Sequence, residues 1–429
     1  MRRGSLLTRP DRQDKMRRWK NEPGPVPALG PVSALKRTDV GLYVHVPFCP
    51  SKCGYCDFYS QVPTDNEIDP TIDALLAEMR QAVDARPLRV DTIFVGGGTP
   101  TSLPLGALGR LLGQLAGYAR EHGVREFTVE ANPGTLDEDK ATLLHDSGVN
   151  RISLGAQSFN EDELRVLDRI HQPDQITQAA GLVHRMGFAH FNMDLIFGIP
   201  GQTAASWKES LARGLDLGPN HLACYGLTYE PGTLLHAQRQ SRQIVPMHEH
   251  LEAEMYEMAD TFITGLGFEH YEISNYARPD GRCRHNLRYW HNEPTIGIGP
   301  SAASYLDGRR WRNVEDTAEY VRRFRVGEPP EASSEALSPS RRAGETAMLM
   351  LRLTDGIPCG RFQEMTGFDP HELFAAAIDR HRKAGLLTAD GDRIALTPTG
   401  RLVGDSVMAD FLDPHPGAAP RATLDTKKA

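Results

Sequence analysis

The sequence predicts an α/β protein, a partial (β/α)6 TIM-like barrel followed by a small winged-helix-like domain. The main observation is a repeat in which short, apolar, β-rich segments alternate with longer segments of helical periodicity, such as TIDALLAEMRQAV (71–83). Strand–helix alternation of this kind is typical of a parallel sheet with crossover helices. The six predicted strands cover residues 40–48, 91–98, 126–133, 151–158, 190–200 and 221–229.

An open, doubly wound sheet would give the same alternation, so the positions of polar residues decide between the two architectures. Glu130, Gln157 and Asp194 each lie near the C-terminal end of a predicted strand. In (β/α) barrels the active site is assembled at this end of the sheet, from residues of several strands. The three positions therefore favour the barrel.

Changes in composition mark the predicted domain boundaries. The segments NEPGPVPALGPVSALKR (21–37) and EPPEASSEALSPS (328–340) are rich in proline, and both are predicted to be linkers. The predicted organisation is a basic, disordered extension with its linker (1–37), the barrel and the region after it (38–327), a linker (328–340), the winged-helix-like domain (341–415) and a tail (416–429).

The predicted C-terminal domain combines a helix, a helix–turn–helix pattern and a β-hairpin with the turn ADGD (389–392). DNA binding is one interpretation, and a transcriptional or redox sensor would be the corresponding function. The helix DPHELFAAAIDRHRKAG (369–385) is mixed in charge, however, and the domain shows no dense basic face. A packing or lid module is the favoured interpretation.

Charge and hydropathy exclude several classes of protein. The 429 residues carry a net charge of −8, although residues 1–20 hold eight Lys or Arg against two Asp. The rest of the chain is therefore acidic, which argues against nucleic-acid binding. No apolar run is long enough to cross a bilayer, and the basic head lacks the apolar segment of a secretory signal. We expect a cytoplasmic protein.

Three of the six cysteines cluster in VHVPFCPSKCGYCDFYS (44–60), directly after the first predicted strand. Cys49, Cys53 and Cys56 lie in a loop interrupted by proline and glycine, so their thiolates can converge on one metal centre. Structural zinc requires four ligands, and His45 or Cys283 could supply the fourth. A cubane iron–sulfur cluster with three protein ligands leaves one iron open and needs no fourth residue. The spacing favours the cluster and leaves zinc as the alternative.

Cys-x-x-x-Cys-x-x-Cys after the first strand of a (β/α) repeat resembles the signature of the radical S-adenosylmethionine (SAM) superfamily. The resemblance implies a 4Fe–4S cluster on Cys49, Cys53 and Cys56, with SAM chelated at the open iron and cleaved to a 5′-deoxyadenosyl radical. The segment GGGTP (96–100) after the second strand matches the superfamily's site for the methionine ammonium. The resemblance assigns SAM contacts to Tyr43, Gly97, Gly98, Thr99, Glu130, Gln157, Arg169 and Asp194. Each of these residues, taken alone, would be an ordinary strand-end, turn or capping residue.

Further segments, including LYVHVPFC, GVNRISLGAQSF, DLIFGIPGQ and YEISNYAR, resemble one branch of the superfamily over residues 40–415. This branch contains the oxygen-independent coproporphyrinogen III oxidases and the HemW-type haem chaperones. The oxidases carry one more cysteine, which would fall at Phe58, so decarboxylation of a porphyrinogen is disfavoured and enzymatic activity stays open. The resemblance implies a haem chaperone that delivers haem to respiratory haemoproteins, and the oxidase is the alternative.

The motif HNxxYW, present as HNLRYW (285–290), is associated with haem binding in the chaperone branch. It assigns His285 as the first candidate for the axial ligand or its neighbour, and Tyr289 and Trp290 as packing surface. His291 and Cys283 are alternatives. As partners, the resemblance implies haem, membrane-associated haemoprotein acceptors and an electron donor such as flavodoxin or ferredoxin. Dimerisation on haem binding and peripheral contact with the inner membrane are left open.

Overall fold

A computed structural model describes residues 37–64, 66–412 and 414. The predicted basic extension, apart from Arg37, and the predicted tail lie outside the described residues. The described residues from Thr38 onward belong to one compact unit, which contains both the barrel and the C-terminal domain.

All six predicted strands are present, each within a few residues of its expected position. The described residues contain nine further strands that lie outside the predicted repeat. The strands are β1 (Thr38–Val46), β2 (Leu88–Gly97), β3 (Glu126–Ala131), β4 (Arg151–Gln157), β5 (His190–Phe197), β6 (His221–Gly226), β7 (Glu269–Glu272), β8 (Asn275–Ala277), β9 (Thr295–Ile298), β10 (Ala303–Leu306), β11 (Arg309–Asn313), β12 (Glu331–Ala336), β13 (Ile357–Pro358), β14 (Leu387–Ala389) and β15 (Arg393–Leu396).

The first twelve strands form one sheet in the order β12-β11-β10-β9-β1-β2-β3-β4-β5-β6-β8-β7. Strands β1 to β6 pair in parallel, and β9 is parallel to β1. The remaining pairs are antiparallel. Since β6 pairs with β8 and β1 with β9, the six parallel strands do not close on one another. The predicted partial (β/α)6 barrel is confirmed, with antiparallel strands added at both sides.

Several helices that follow the parallel strands begin or end at residues suited to the role. Helix α2 ends at Gly123 (φ 66°), and α5 ends at Gly187 (φ 76°), where glycine adopts the left-handed conformation without strain. At the start of α6, Thr203 and Ser206 form a reciprocal capping box. The helices are α1 (Ile68–Met79), α2 (Leu105–His122), α3 (Glu138–Asp146), α4 (Glu161–Val166), α5 (Pro173–Met186), α6 (Ala204–Asp216), α7 (Leu234–Gln240), α8 (Glu249–Gly265), α9 (Arg284–Trp290), α10 (Thr317–Arg325), α11 (Pro339–Met350), α12 (Cys359–Thr366), α13 (Pro370–Leu373), α14 (Ala375–Lys383), α15 (Pro398–Leu402) and α16 (Gly404–Ala409).

None of the helices in the described part of the chain combines the length and the apolar character needed to cross a membrane.

The two faces of the parallel strands differ sharply in polarity. Side chains alternate along a strand, and the set that includes Val129, Ile152 and Met193 is fully buried in the main hydrophobic core. The alternate positions of β3 to β6 are mostly polar and face the inside of the half barrel. These inward residues are Glu126, Thr128, Glu130, Arg151, Ser153, Asn192, Asp194 and His221.

The predicted linker 328–340 was wrong in part, because Glu331–Ala336 form strand β12. This strand pairs antiparallel with β11 and is the last strand on one side of the sheet. Its sequence, EASSEA, is polar and mostly exposed, which suits an edge strand that packs on nothing. The composition of this strand is therefore similar to that of a linker, which explains the wrong part of the prediction.

The C-terminal domain contains α11 to α16 and the three-stranded sheet β13-β15-β14. The expected hairpin is present, since β14 and β15 pair antiparallel around residues 390–392. The domain continues the barrel's hydrogen bonding beside β7, where the Ile273 N–H donates to the Arg352 carbonyl at 3.0 Å and the Thr354 N–H donates to the Tyr271 carbonyl at 3.1 Å. Arg361 and Glu293 add an ion pair at 2.7 Å. The domain is thus joined to β7 and to the segment after α9.

Helix α9, which carries the HNxxYW motif, is anchored inside the half barrel by Glu126. The Glu126 carboxylate accepts the backbone N–H groups of Arg284 (3.0 Å) and His285 (2.8 Å), and the Cys283 thiol donates to it at 3.4 Å. It also pairs with Arg151 Nε at 3.1 Å. Glu126 and Arg151 are only 2% and 1% exposed. A single buried carboxylate therefore holds the first turn of α9 and neutralises a buried guanidinium.

Replacing Glu126 by Gln should destabilise the protein by about 3–5 kcal/mol, because Arg151 would remain buried without its counter-charge. The matched control is Asp39→Asn, which breaks the exposed ion pair with Arg89 and should cost about 1 kcal/mol or less. Urea denaturation of both variants gives the comparison. Equal losses of stability would show that Glu126 does not anchor this part of the fold.

Candidate functional site

The cysteine loop leaves β1 and returns beside it, so its two ends are held together. The Cys49 N–H donates to the Gln61 carbonyl (3.0 Å), and the Gln61 N–H donates to the Pro47 carbonyl (2.8 Å). Within this loop the thiols of Cys49, Cys53 and Cys56 are partly exposed and line the same cavity of about 150 Å³. The structure therefore brings the three predicted cluster ligands together.

Polar neighbours surround the thiols. Cys49 Sγ lies 3.5 Å from Thr99 Oγ1, and Arg169 Nη1 donates to Cys53 Sγ at 3.5 Å. Burial raises the pKa of Cys56 to about 11, so a bound cation would be needed to hold this thiol deprotonated at neutral pH.

The zinc alternative lacks its fourth ligand in this arrangement. His45 uses both ring nitrogens, with Nδ1 at 3.0 Å from Tyr43 Oη and Nε2 at 2.8 Å from the Tyr59 carbonyl. Cys283 lies at the start of α9, with its thiol on Glu126. Among the described residues, no three His, Cys, Asp or Glu side chains are arranged to hold a single metal ion.

The glycine segment after β2 is packed too closely for any side chain. Gly97 has φ of 95°, and a Cβ there would lie 2.4 Å from the His45 ring. A Cβ on Gly98 would lie 2.5 Å from the Phe48 carbonyl oxygen. Gly97, Gly98 and Thr99 all line the cysteine cavity. The glycines therefore let the backbone approach both the cysteine loop and the cavity.

Two carboxyl groups line the same cavity from the inner face of the barrel. Burial raises the pKa of Glu130 to about 8, with the neighbouring Asp194 charge adding to the effect. Burial also raises the pKa of Asp194 to about 6, against hydrogen bonds from Asn192 and Ser153. Desolvated carboxylates of this kind are stabilised by a cationic or hydroxyl-bearing ligand.

The remaining wall of the cavity carries polar groups without partners. Asn132 Oδ1 and Arg169 Nε are buried and make no hydrogen bond. Arg169 Nη2 donates to the Gly155 carbonyl at 2.7 Å, and Gln157 has φ of 68° and lines the cavity. Buried polar groups usually find partners, so these side chains fit a polar ligand between the thiols and the strand ends.

Tyr43 is the one predicted SAM contact that does not line this cavity. Its hydroxyl lies 3.0 Å from His45 Nδ1, and its ring lies 6.2 Å from that of Phe94 on the inner face of the sheet. In this structure Tyr43 supports His45, which in turn holds the cysteine loop through Tyr59.

The HNxxYW residues lie deeper than the motif alone suggests. His285 is fully buried, with Nδ1 at 2.8 Å from Thr92 Oγ1 and Nε2 at 3.2 Å from Tyr289 Oη. Burial lowers the pKa of His285 to about 3. Neither nitrogen is available to an iron in this conformation, so His285 supports α9 from inside the barrel.

The last residue of the motif, Trp290, and the residue after it, His291, differ from His285 in this respect. His291 is half-buried, and its Nδ1 has no hydrogen-bond partner. Trp290 Nε1 is also without a partner, and the Arg352 guanidinium carbon lies 4.5 Å from the Trp290 ring centroid. Both ring nitrogens of His285 and the thiol of Cys283 make hydrogen bonds within the protein. Of the three candidate ligands, His291 is therefore the one with a ring nitrogen that has no hydrogen bond.

Sequence reasoning missed several residues of the site, among them Asn132, Ser153 and Arg151. The signal that could have found them is the period-two alternation of polar and apolar residues within β3 to β5, since fully buried parallel strands are usually apolar on both faces.

Comparison with known proteins identifies this arrangement. Two family models match the chain, the Radical SAM superfamily over residues 43–213 and the HemN C-terminal domain over residues 337–403. The haem chaperone HemW of Bacillus subtilis is 33% identical over 373 residues, covering 86% of this chain and 98% of the relative. HemW of Escherichia coli is 34% identical over 386 residues, covering 88% and 99%.

The chain belongs to the HemW haem-chaperone family.

The HemW fold is shared with an oxidase. The E. coli coproporphyrinogen III oxidase HemN, described as a radical SAM enzyme, superposes with a TM-score of 0.76 at 23% identity, covering 88% of this chain and 91% of that one. At this identity the match shows the fold alone. HemW membership of the radical SAM superfamily gives the chain its cofactors, a 4Fe–4S cluster and SAM. The three thiols, the glycine segment and the desolvated carboxyls fit them.

The raised pKa of Glu130 predicts a pH-dependent stability of the cofactor-free protein. The folded state holds a proton on Glu130 up to about pH 8, whereas an ordinary Glu titrates near 4.5. The resulting stability is complete below about pH 4.5 and is lost as the pH rises through about 8. Glu130→Gln should therefore raise the free energy of unfolding at pH 8.5 by on the order of 1–2 kcal/mol and change little at pH 4.5.

Urea denaturation at the two pH values measures the difference, with Glu364→Gln on the exposed side of α12 as control. A Glu130→Gln variant with the pH profile of the wild type would refute the assignment of a desolvated carboxyl.

Proposed function

We propose that this protein is a haem chaperone, which binds haem and delivers it to respiratory haemoproteins while carrying a 4Fe–4S cluster and SAM. The observation that carries the proposal is the match to HemW relatives over nearly their whole length, including the C-terminal domain. The position of Phe58 in the structure supports the chaperone rather than the oxidase. This residue is 63% exposed beside the cysteine cavity and offers a phenyl ring where the oxidases have their fourth cysteine.

In this proposal Cys49, Cys53 and Cys56 hold three irons of the cluster. When bound, the cluster supplies an electron and an open iron site to SAM. Gly97 and Gly98 offer backbone groups to the ligand, and Glu130 and Asp194 accept hydrogen bonds from its ammonium and hydroxyl groups. Thr99, Gln157 and Arg169 complete the wall. Tyr43 takes part through His45.

The haem contact is proposed along α9 and the residue that follows it. His285 and Tyr289 brace the helix from inside, whereas Trp290 offers aromatic surface and His291 a neutral imidazole. Burial lowers the pKa of His291, which favours the unprotonated form that ligates iron. His291 is therefore the first candidate for the axial ligand, and His285 becomes a positioning residue.

The finer features of this function follow the same family. We propose membrane-associated haemoproteins as acceptors, a flavodoxin or ferredoxin as electron donor, a cytoplasmic location with peripheral contact to the inner membrane, and dimerisation on haem binding. The coproporphyrinogen oxidase remains the second candidate, because residues 337–403 match the HemN C-terminal domain.

The cluster assignment predicts that each of Cys49→Ser, Cys53→Ser and Cys56→Ser loses the cluster, because three thiolates are the whole protein ligand set. Iron and acid-labile sulfide in anaerobically reconstituted protein should fall to the level of the metal-free protein. Cys359→Ser, at the start of α12 in the C-terminal domain, is the matched control and should retain both. Full iron content in any of the three variants would remove that cysteine from the site.

The two candidate functions differ in what happens to a tetrapyrrole. Reconstituted protein with SAM and reductant should bind haem stoichiometrically, seen in the Soret band, and should leave coproporphyrinogen III intact. A decarboxylated product would establish the oxidase instead, and absence of haem binding would refute the chaperone.

The axial ligand is assigned by comparing two histidine variants in the same titration. His291→Ala should change the Soret and visible bands, whereas His285→Ala should mainly lower the melting temperature, because it removes two internal hydrogen bonds. The reverse result would return the ligand to His285.

A further inference from the structure

A second, larger cavity of about 570 Å³ lies inside the half barrel, next to the cysteine cavity. The two cavities share Glu130, Ser153, Gln157 and Asp194 in their walls. We call the larger one the inner chamber. Its wall includes Thr128, Arg151 and Asn275 from the barrel, Asn286 from the HNxxYW helix and Arg352 from the C-terminal domain.

Buried polar atoms in the wall of the inner chamber lack partners within the protein. Thr128, Arg151 and Asn275 are 0%, 1% and 2% exposed, yet Thr128 Oγ1, Arg151 Nη1 and Asn275 Oδ1 make no hydrogen bond. Leaving such atoms unpaired costs stability. Two of them, Thr128 Oγ1 and Arg151 Nη1, can donate to a ligand in the chamber, whereas Asn275 Oδ1 can only accept.

Arg352, the second arginine in the wall of the inner chamber, also has a buried polar atom without a hydrogen-bond partner. Arg352 Nε is buried without a partner, and Arg352 Nη2 reaches Glu272 only at 3.5 Å. Its guanidinium stacks on Trp290, so Arg352 connects the inner chamber with the haem motif. Both arginines therefore retain donor nitrogens beyond those used inside the protein.

Acidic side chains also line the inner chamber, but they lie away from Arg151 and Thr128. Glu130 and Asp194 belong to the wall shared with the cysteine cavity, and Asp57 and Asp405 are exposed residues of the cysteine loop and of α16. Arg151 opens β4 and Thr128 lies in the middle of β3, towards the N-terminal ends of the strands, where Glu126 and α9 close the barrel. The free donors thus lie on the α9 side.

We propose that the α9 side of the inner chamber binds the carboxylates of a tetrapyrrole, the propionates of the haem cargo, through Arg151, Arg352 and Thr128. The inference rests on the proposed function and adds the orientation of the haem, whose propionates face the α9 side. A guanidinium with free N–H groups and a neighbouring hydroxyl is the donor set that a carboxylate requires. Asn275 and Asn286 complete the polar wall.

The test compares haem with haem dimethyl ester, which has the same macrocycle and no free carboxylate. Wild-type protein, titrated in one mixed solvent, should bind haem about tenfold or more tightly than the ester. Thr128→Val should weaken haem binding by about tenfold and leave ester binding unchanged, and Arg352→Gln should lower the ratio of haem to ester affinity by about tenfold. Thr128→Val removes a hydroxyl that has no partner, so its melting temperature should equal or exceed that of the wild type.

The matched control is Thr71→Val, since Thr71 is equally buried at the start of α1 and bonds to the Glu67 carbonyl. It should lower the melting temperature and leave the ratio of haem to ester affinity unchanged. Equal affinity of the wild type for haem and its ester would overturn this inference while the chaperone function stands. Absence of haem binding altogether would overturn both.

Discussion

Barrel interiors are usually filled by layers of branched apolar side chains, but β3 to β6 turn a polar residue inward at nearly every second position. These residues must be satisfied by one another or by ligands, because they are withdrawn from water. Two sets result. Glu126 satisfies the start of α9 and Arg151 Nε, whereas Glu130, Asp194, Thr128 Oγ1 and Arg151 Nη1 keep capacity for bound molecules. The first turn of α9 is therefore held firmly, and the polar groups that line the cavities are left incomplete.

A buried chain of hydrogen bonds joins these two parts. Asp194 accepts from Asn192 Nδ2 at 2.8 Å, and His221 Nδ1 lies 2.5 Å from Asn192 Oδ1. His221 Nε2 lies 2.7 Å from Tyr271 Oη, and this hydroxyl accepts the Cys283 N–H at 3.4 Å. Asp194, which lines the cysteine cavity, and Cys283, which precedes α9, are thus connected through buried groups. Such a network restrains the distance between the cofactor site and the haem motif.

Much of this architecture could be predicted from the sequence. The six parallel strands and the cysteine loop could be predicted because their sequence patterns are local and span only a few neighbouring residues. The burial of His285 could not be predicted, because its partners Thr92 and Glu126 lie 193 and 159 residues away in the chain. The strand at Glu331–Ala336 was missed for a related reason. Its polar sequence is compatible with a strand only because β11 offers a neighbouring edge.

In the arrangement proposed above, the cluster and the haem occupy adjacent parts of one polar half barrel. Anomalous diffraction at the iron edge, on crystals of the reconstituted protein with haem, locates each iron. We expect two separate iron centres, one against Cys49, Cys53 and Cys56, and one on the α9 side with the haem carboxylates towards Arg151 and Arg352. Iron missing at the three cysteines, or a haem on the outer surface of the helices, would contradict it.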